Sequence, residues 1–91
     1  MKFIEVVPQV YQLRLRRANV TVLIDDEITV IDTGIPGSAK WIIQFLEHMG
    51  QPPSKVGLII ITHHHVDHVG GLAELKKITG ARVAAHRLDA P

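Results

Sequence analysis

Apolar and polar positions alternate with a period of two over the first third of the chain, and with a period near 3.6 in two later stretches. The early residues therefore read as strands. In VYQLRLRR (Val10–Arg17), Val10, Leu13 and Leu15 stand against Gln12, Arg14 and Arg16, with Tyr11 out of phase. NVTVLI (Asn19–Ile24) and ITVID (Ile28–Asp32) are rich in β-branched residues and flank DDE, the pattern of a hairpin with a short acidic turn. Val20, Val22 and Ile24 are apolar on one face, and Leu23 and Ile31 on the other. This two-sided pattern predicts a sheet covered on both faces.

After Asp32, Gly34, Pro36 and Gly37 mark a loop, and Ser38 is placed to cap a helix. Ile42, Phe45, Leu46 and Met49 recur at helical spacing and form one buried stripe. Gly50 suits the first position past the helix end, and Pro52–Pro53 prevent continuation. VGLIIIT (Val56–Thr62) is a continuous apolar run with the length and branching of a buried strand. GGLAELKKITG (Gly70–Gly80) places Leu72, Leu75 and Ile78 on one helical face, and ARVAAH (Ala81–His86) reads as a further strand. Val56–His86 is thus a β-loop-α-β unit, for which parallel strands and a right-handed crossover are expected. The fold class is α/β, with antiparallel N-terminal strands and residues 1–91 as a single domain.

Composition narrows the chemistry. A 46% hydrophobic and 21% charged chain has the balance of a globular domain rather than a disordered one. A net charge of +1 offers no basic field for nucleic acid, and Arg14, Arg16 and Arg17 read as the solvated face of a strand. Cysteine is absent, so any metal must be held by His, Asp or Glu. No apolar run is long enough to cross a bilayer. The start, MKFIEVVPQVYQLRLRR, is interrupted by Glu5 and Pro8 and lacks a signal peptide's apolar core, so a cytoplasmic location is expected. His48 reads as a surface histidine near a helix end.

The concentrated chemistry is ITHHHVDHVGG (Ile61–Gly71), at the carboxyl end of the most apolar strand. Ligands of open α/β sheets sit outside the carboxyl ends of strands. If the chain leaves the strand extended, His63 and His65 point to one side and His64 to the other, so two imidazoles can share one metal. Asp67 and His68 follow where the chain turns; they could hold a second metal, or Asp67 could hold a metal-bound water. Gly70 and Gly71 admit close approach of backbone. Packed imidazoles repel one another when protonated and are costly to bury, which favours a bound cation. Imidazole and carboxylate ligands suit zinc, iron or manganese.

THHHVDHVGG resembles the H-x-H-x-D-H signature of the metallo-β-lactamase superfamily, and VIDTG (Val30–Gly34) resembles that family's upstream Asp-Thr-Gly element. The order of elements is similar to the N-terminal half of that αββα sandwich. The resemblance implies a metal-dependent hydrolase that attacks an ester, lactone, thioester or similar bond in a small molecule. It implies zinc, as one or two ions, with His63 and His65 on the first and Asp67 and His68 on the second. Asp67 would also orient the nucleophile and shuttle its proton, and Asp32 would support the metal loop from behind. His64 falls on a variable position.

The family's pattern continues with further ligands, whereas this sequence supplies two per metal and catalytic zinc ordinarily has three. The expectation is therefore a homodimer or a complementing second chain that completes the site, with His86 a conceivable extra ligand or a residue lining the cleft. The alternative is a metal-binding but catalytically silent half-domain, or an interaction subunit.

Overall fold

Tight reversals at Pro8–Gln9 and at Asp25–Glu27 lie within the antiparallel part of the sheet. The computed structural model describes residues 2–15, 19–32, 37–62 and 72–85. Strand β1 (Lys2–Val7) turns through Pro8 and Gln9, the latter at φ 72°, into β2 (Val10–Arg14). β2 pairs antiparallel with β3 (Asn19–Ile24), which turns through the acidic Asp25–Glu27 stretch into β4 (Ile28–Ile31). A β4–β5 crossover carries helix α1 (Ala39–His48) and a short 3-10 turn (Pro53–Lys55) before β5 (Val56–Ile61). Helix α2 (Leu72–Thr79) then leads to β6 (Arg82–Ala85). The six strands lie in sequential order, with β4, β5 and β6 mutually parallel, as the β-loop-α-β reading requires.

The register sorts the side chains. Tyr11 pairs with Val22 and Leu13 with Val20; Val22 pairs with Val30, and Val30 with Ile59. These positions share one face, and Leu13, Val20, Val22, Ile28, Val30, Ile59 and Ile61 are buried there beneath Ala39, Ile42, Phe45, Leu46 and Leu75 of the helices. Tyr11 is therefore in phase with Leu13, and Val10 is the residue that points the other way. A strict period of two, counted from the buried Leu13, decides this. Tyr11 and Phe3 flank Phe45, with ring centroids 5.4 and 4.9 Å from it. The exposed His48 stands edge-on to Phe3 at 5.7 Å, a surface histidine as expected.

The other face carries Leu23, Ile31, Leu58 and Ile60, all half-buried. Both described helices lie on the first face, so the expected two-sided cover is one-sided among the described residues. Edge strand β1 also exposes Ile4, Val6 and Val7.

Helix ends follow their chemistry with one exception. Past α1, Gly50 at φ 71° allows its N–H to reach Glu47 O at 3.0 Å, and Gln51 N–H reaches Leu46 O at 2.8 Å. These paired bonds satisfy carbonyls that the helix leaves open. Gly80, also at φ 71°, ends α2 with its N–H on Lys76 O at 2.7 Å. Ser38 departs from expectation. It precedes α1, but its backbone is already helical, its side chain makes no capping bond, and it is 3% exposed. A helical φ/ψ swings the hydroxyl away from the N–H groups it would cap. Ile78 departs as well. It is 53% exposed, whereas Leu75 is fully buried and Leu72 partly so. The eight residues of α2 make barely two turns, and only Leu75 faces the sheet squarely.

Gly57 sits where the β4–β5 register shifts. A Cβ there would overlap the Glu27 side chain, which is held by Arg82 at 3.1 Å across the amino ends of the parallel strands. No helix among the described residues is long and apolar enough to cross a membrane.

Candidate functional site

The carboxyl ends of β4, β5 and β6 meet at one sheet edge, because these strands are parallel and in register: Ile31 beside Ile60, and Ile61 beside Ala85. His63, His65, Asp67 and His68 follow β5 at this edge in the sequence, and His86 follows β6. These five, with His64, Thr33 and Gly34, lie outside the described residues. What the structure describes is the support on which that run begins.

Asp32 is the centre of it. Its N–H donates to Ile60 O at 2.7 Å, which continues the β4–β5 ladder by one bond. Its backbone then turns into the left-handed region, φ 63°, which a non-glycine residue enters at a cost that Asp tolerates better than most. The carboxylate reaches across to β5. Oδ1 accepts the Thr62 N–H at 3.0 Å and Oδ2 accepts the Thr62 hydroxyl at 2.7 Å. Both oxygens of one carboxylate are thus engaged by the residue immediately before His63. A carboxylate acceptor makes these bonds roughly twice as strong as neutral ones. The expectation that Asp32 supports the loop has a geometric basis in this contact.

A second tie lies further on. The Gly37 N–H donates to Glu74 Oε1 at 2.9 Å. Glu74 is in the first turn of α2, where a negative charge also complements the helix dipole. Asp32 and Thr62, the last described residues before positions 33–36 and 63–71, are thus bonded to each other, and so are Gly37 and Glu74, which come after those positions.

Sequence reading passed over Thr62 and Glu74. The signal for Thr62 was present. Asp32 and Thr62 each come directly after an apolar run, so parallel neighbouring strands bring the two close at one sheet end. Glu74 had no such signal, because its partner is a backbone N–H distant in sequence.

A cleft of about 470 Å³ opens at the opposite end of the sheet, lined by residues that include Gln9, Val10, Leu23, Asp25 and Glu27. It lies at the amino end of β4, remote from the edge where β4, β5 and β6 end.

Comparison with known proteins agrees with this layout. The metallo-beta-lactamase superfamily model matches residues 13–91. A hydroxyacylglutathione hydrolase of Ectopseudomonas mendocina is 53% identical over 49 residues, which are 54% of this chain and 18% of that protein. Another, from Pseudomonas savastanoi, is 48% identical over 62 residues, or 67% of this chain and 22% of that one. Among solved structures, a subclass B3 metallo-beta-lactamase from a soil metagenome library superposes with a TM-score of 0.89 at 30% identity, covering 98% of this chain and 34% of its own. A metallo-beta-lactamase from Cronobacter sakazakii gives 0.87 at 30%, covering 99% and 36%. The chain spans about a fifth of the length of the curated relatives and about a third of the solved ones. With 79 of its 91 residues under the family model, the chain belongs to the metallo-beta-lactamase superfamily.

Proposed function

We propose that this chain forms the first αβ half of a metal-dependent hydrolase whose substrate is a small acyl compound, with a hydroxyacylglutathione-type thioester the first to test. The observation that carries the reading is the Asp32–Thr62 contact at the carboxyl edge, directly before His63. The kinship with hydroxyacylglutathione hydrolases supports the choice of substrate class.

The donor set fits a metal. Three imidazoles and a carboxylate, with no thiolate in the chain, suit zinc, and iron or manganese as alternatives. His63 and His65 would hold one ion, and Asp67 and His68 a second. A bound zinc supplies an acidified water and polarises the carbonyl under attack. Asp67 would orient the nucleophile through its carboxylate and take up the proton released. Asp32 keeps the strand end in place through Thr62, so the histidines need not be ordered by the metal alone.

The half-buried apolar face of Leu23, Ile31, Leu58 and Ile60 is the surface on which a second αβ unit would pack and bring further ligands. A second copy in a homodimer, a complementing chain or a further αβ stretch of the same polypeptide would each supply that unit. Sedimentation of the purified chain with zinc tests this: a dilute, stable monomer that hydrolyses substrate by itself overturns it.

The test of function is zinc titration with mass measurement, followed by assay on a hydroxyacylglutathione, a lactone and a β-lactam. Zinc uptake lost in His63→Ala and His65→Ala supports the ligand set. Unchanged stoichiometry in those variants, or no uptake by the unaltered chain, overturns it.

A further inference from the structure

We propose that Arg14, with Lys2 beside it, binds a carboxylate of the substrate, so that the acyl compounds this chain serves carry an anionic tail reaching away from the bond attacked. The proposal deepens the reading above and rests on it for the identity of the reaction.

Register places the pair. Gln12, Thr21, Ile31 and Ile60 form one row across β2, β3, β4 and β5. Arg14 stands two residues past that row on β2, and Thr62 two residues past it on β5, which runs in the same direction. The two are therefore level at the sheet end where β4, β5 and β6 finish, three strand spacings or about 14 Å apart. Lys2 is the register partner of Arg14 on edge strand β1. Residues two apart on a strand share a face, so Arg14 belongs with Ile31 and Ile60 on the half-buried apolar face. The Arg14 side chain covers part of the gap, which leaves a ligand length of about 10 Å, three extended residues at most.

Charge gives the second half of the argument. Like charges directly opposite across an antiparallel pair destabilise it. Lys2 and Arg14 are nevertheless opposite each other and exposed, and among the described residues neither has an ion pair. The described carboxylates at this end are Asp32 and Glu74, bonded to Thr62 and to the Gly37 N–H. The acidic stretch Asp25–Glu27 stands at the opposite end of the sheet. A local rule broken without compensation inside the chain points to function rather than to folding. An anion supplies what the pair lacks. Arg meets a carboxylate with parallel N–H donors, and Lys adds a point charge.

The experiment titrates S-methylglutathione, which carries free carboxylates and no thioester, into the metal-free full chain and follows NMR shifts. Its carboxyl-esterified form and inorganic phosphate are titrated in parallel. Signals of Arg14 and of its register partner Asn19 should move with the acid, and the ester and phosphate should each bind about 5-fold or more weakly. Arg14→Gln should weaken binding of the acid about 5-fold or more, and Arg14→Lys, which loses the fork but keeps the charge, by less. Lys77→Gln, the same loss of charge in the last turn of α2, should change it less than about two-fold. The urea midpoint of Arg14→Gln should rise, because the like-charge pair is gone. Unchanged binding in Arg14→Gln, an ester or phosphate that binds as tightly as the acid, or a lower urea midpoint each overturns the proposal. The zinc-loaded chain is then assayed on an acidic thioester and its esterified form. A chain that binds the acid through Arg14 but takes up no zinc and hydrolyses neither keeps the anion site and loses the hydrolase reading. A chain that hydrolyses both forms equally well keeps the hydrolase reading and loses the anion site.

Discussion

Gly37 and Glu74 are joined by a backbone-to-carboxylate hydrogen bond of 2.9 Å between the approach to α1 and the first turn of α2. It ties the two helices at the end of the sheet where β4 and β5 finish. The bond is exposed, so its worth is modest: on the order of 1 kcal/mol, with a few tenths more from the charge at the helix start. Glu74→Ala should therefore lower unfolding free energy by about 1–2 kcal/mol in urea titration, and Glu74→Gln, which keeps an acceptor, by less than half of that. Equal losses in the two variants would show that charge, not the bond, matters here.

Asp32 separates two effects that usually travel together. Asp32→Ala removes both acceptors for Thr62 and leaves a Cβ in the left-handed region, for a combined cost of about 2–4 kcal/mol. Asp32→Gly removes the acceptors but relieves the backbone, so it should be about 1 kcal/mol less damaging than alanine. Chemical denaturation of the pair measures the difference. An alanine variant as stable as glycine would mean that φ 63° carries no strain.

Leu75 and Ile78 occupy the same stripe in sequence and different environments in space. Leu75→Ala should cost about 2–5 kcal/mol, because it empties a fully buried position between helix and sheet. Ile78→Ala, at a side chain 53% exposed, should stay within about 0.5 kcal/mol. Thermal or urea unfolding of both decides it, and a large loss at Ile78 would place it in a packed interface.

Tyr11 gives the fold a dependence on high pH. Its hydroxyl is raised above the ordinary value of 10.0, first by burial and then by a hydrogen bond to Glu5 and the charge of that carboxylate. Glu5 is its register partner on β1. The folded chain therefore keeps this proton at pH values where the unfolded chain has released it. The contribution to stability is whole below pH 10 and is lost as pH rises through the folded value. Ultraviolet titration of the phenolate should show Tyr11 ionising late, and Glu5→Gln should bring it closer to the ordinary value. Unchanged ionisation in Glu5→Gln would assign the shift to burial alone.

The elements were legible because each is written in local periodicity. The branched runs at Asn19–Ile24, Ile28–Ile31 and Val56–Ile61 became strands within a residue of their expected bounds, and Gly50 ended α1 as its position required. Short-range pattern was less secure where a side chain can satisfy either of two faces. Tyr11 reads as out of phase when the period is counted from Val10 and as in phase when it is counted from Leu13, and the pairing with Val22 agrees with the second count. Ser38 carried the right side chain for a cap, but its own backbone is already helical.

By itself the sequence determined the order and type of the elements, the parallel β-α-β unit and the crowding of histidines after one apolar strand. These depend on spacing along the chain, which the sequence contains. Only the tertiary structure decided that Asp32 lends its carboxylate to β5 in place of a carbonyl, that Thr62 and Glu74 tie the segments flanking the run, and that both described helices cover one face. Those facts depend on register between strands and on which way a backbone turns at a single residue. Neither quantity has a period, so each is set by the packing of distant segments and emerges only when they meet.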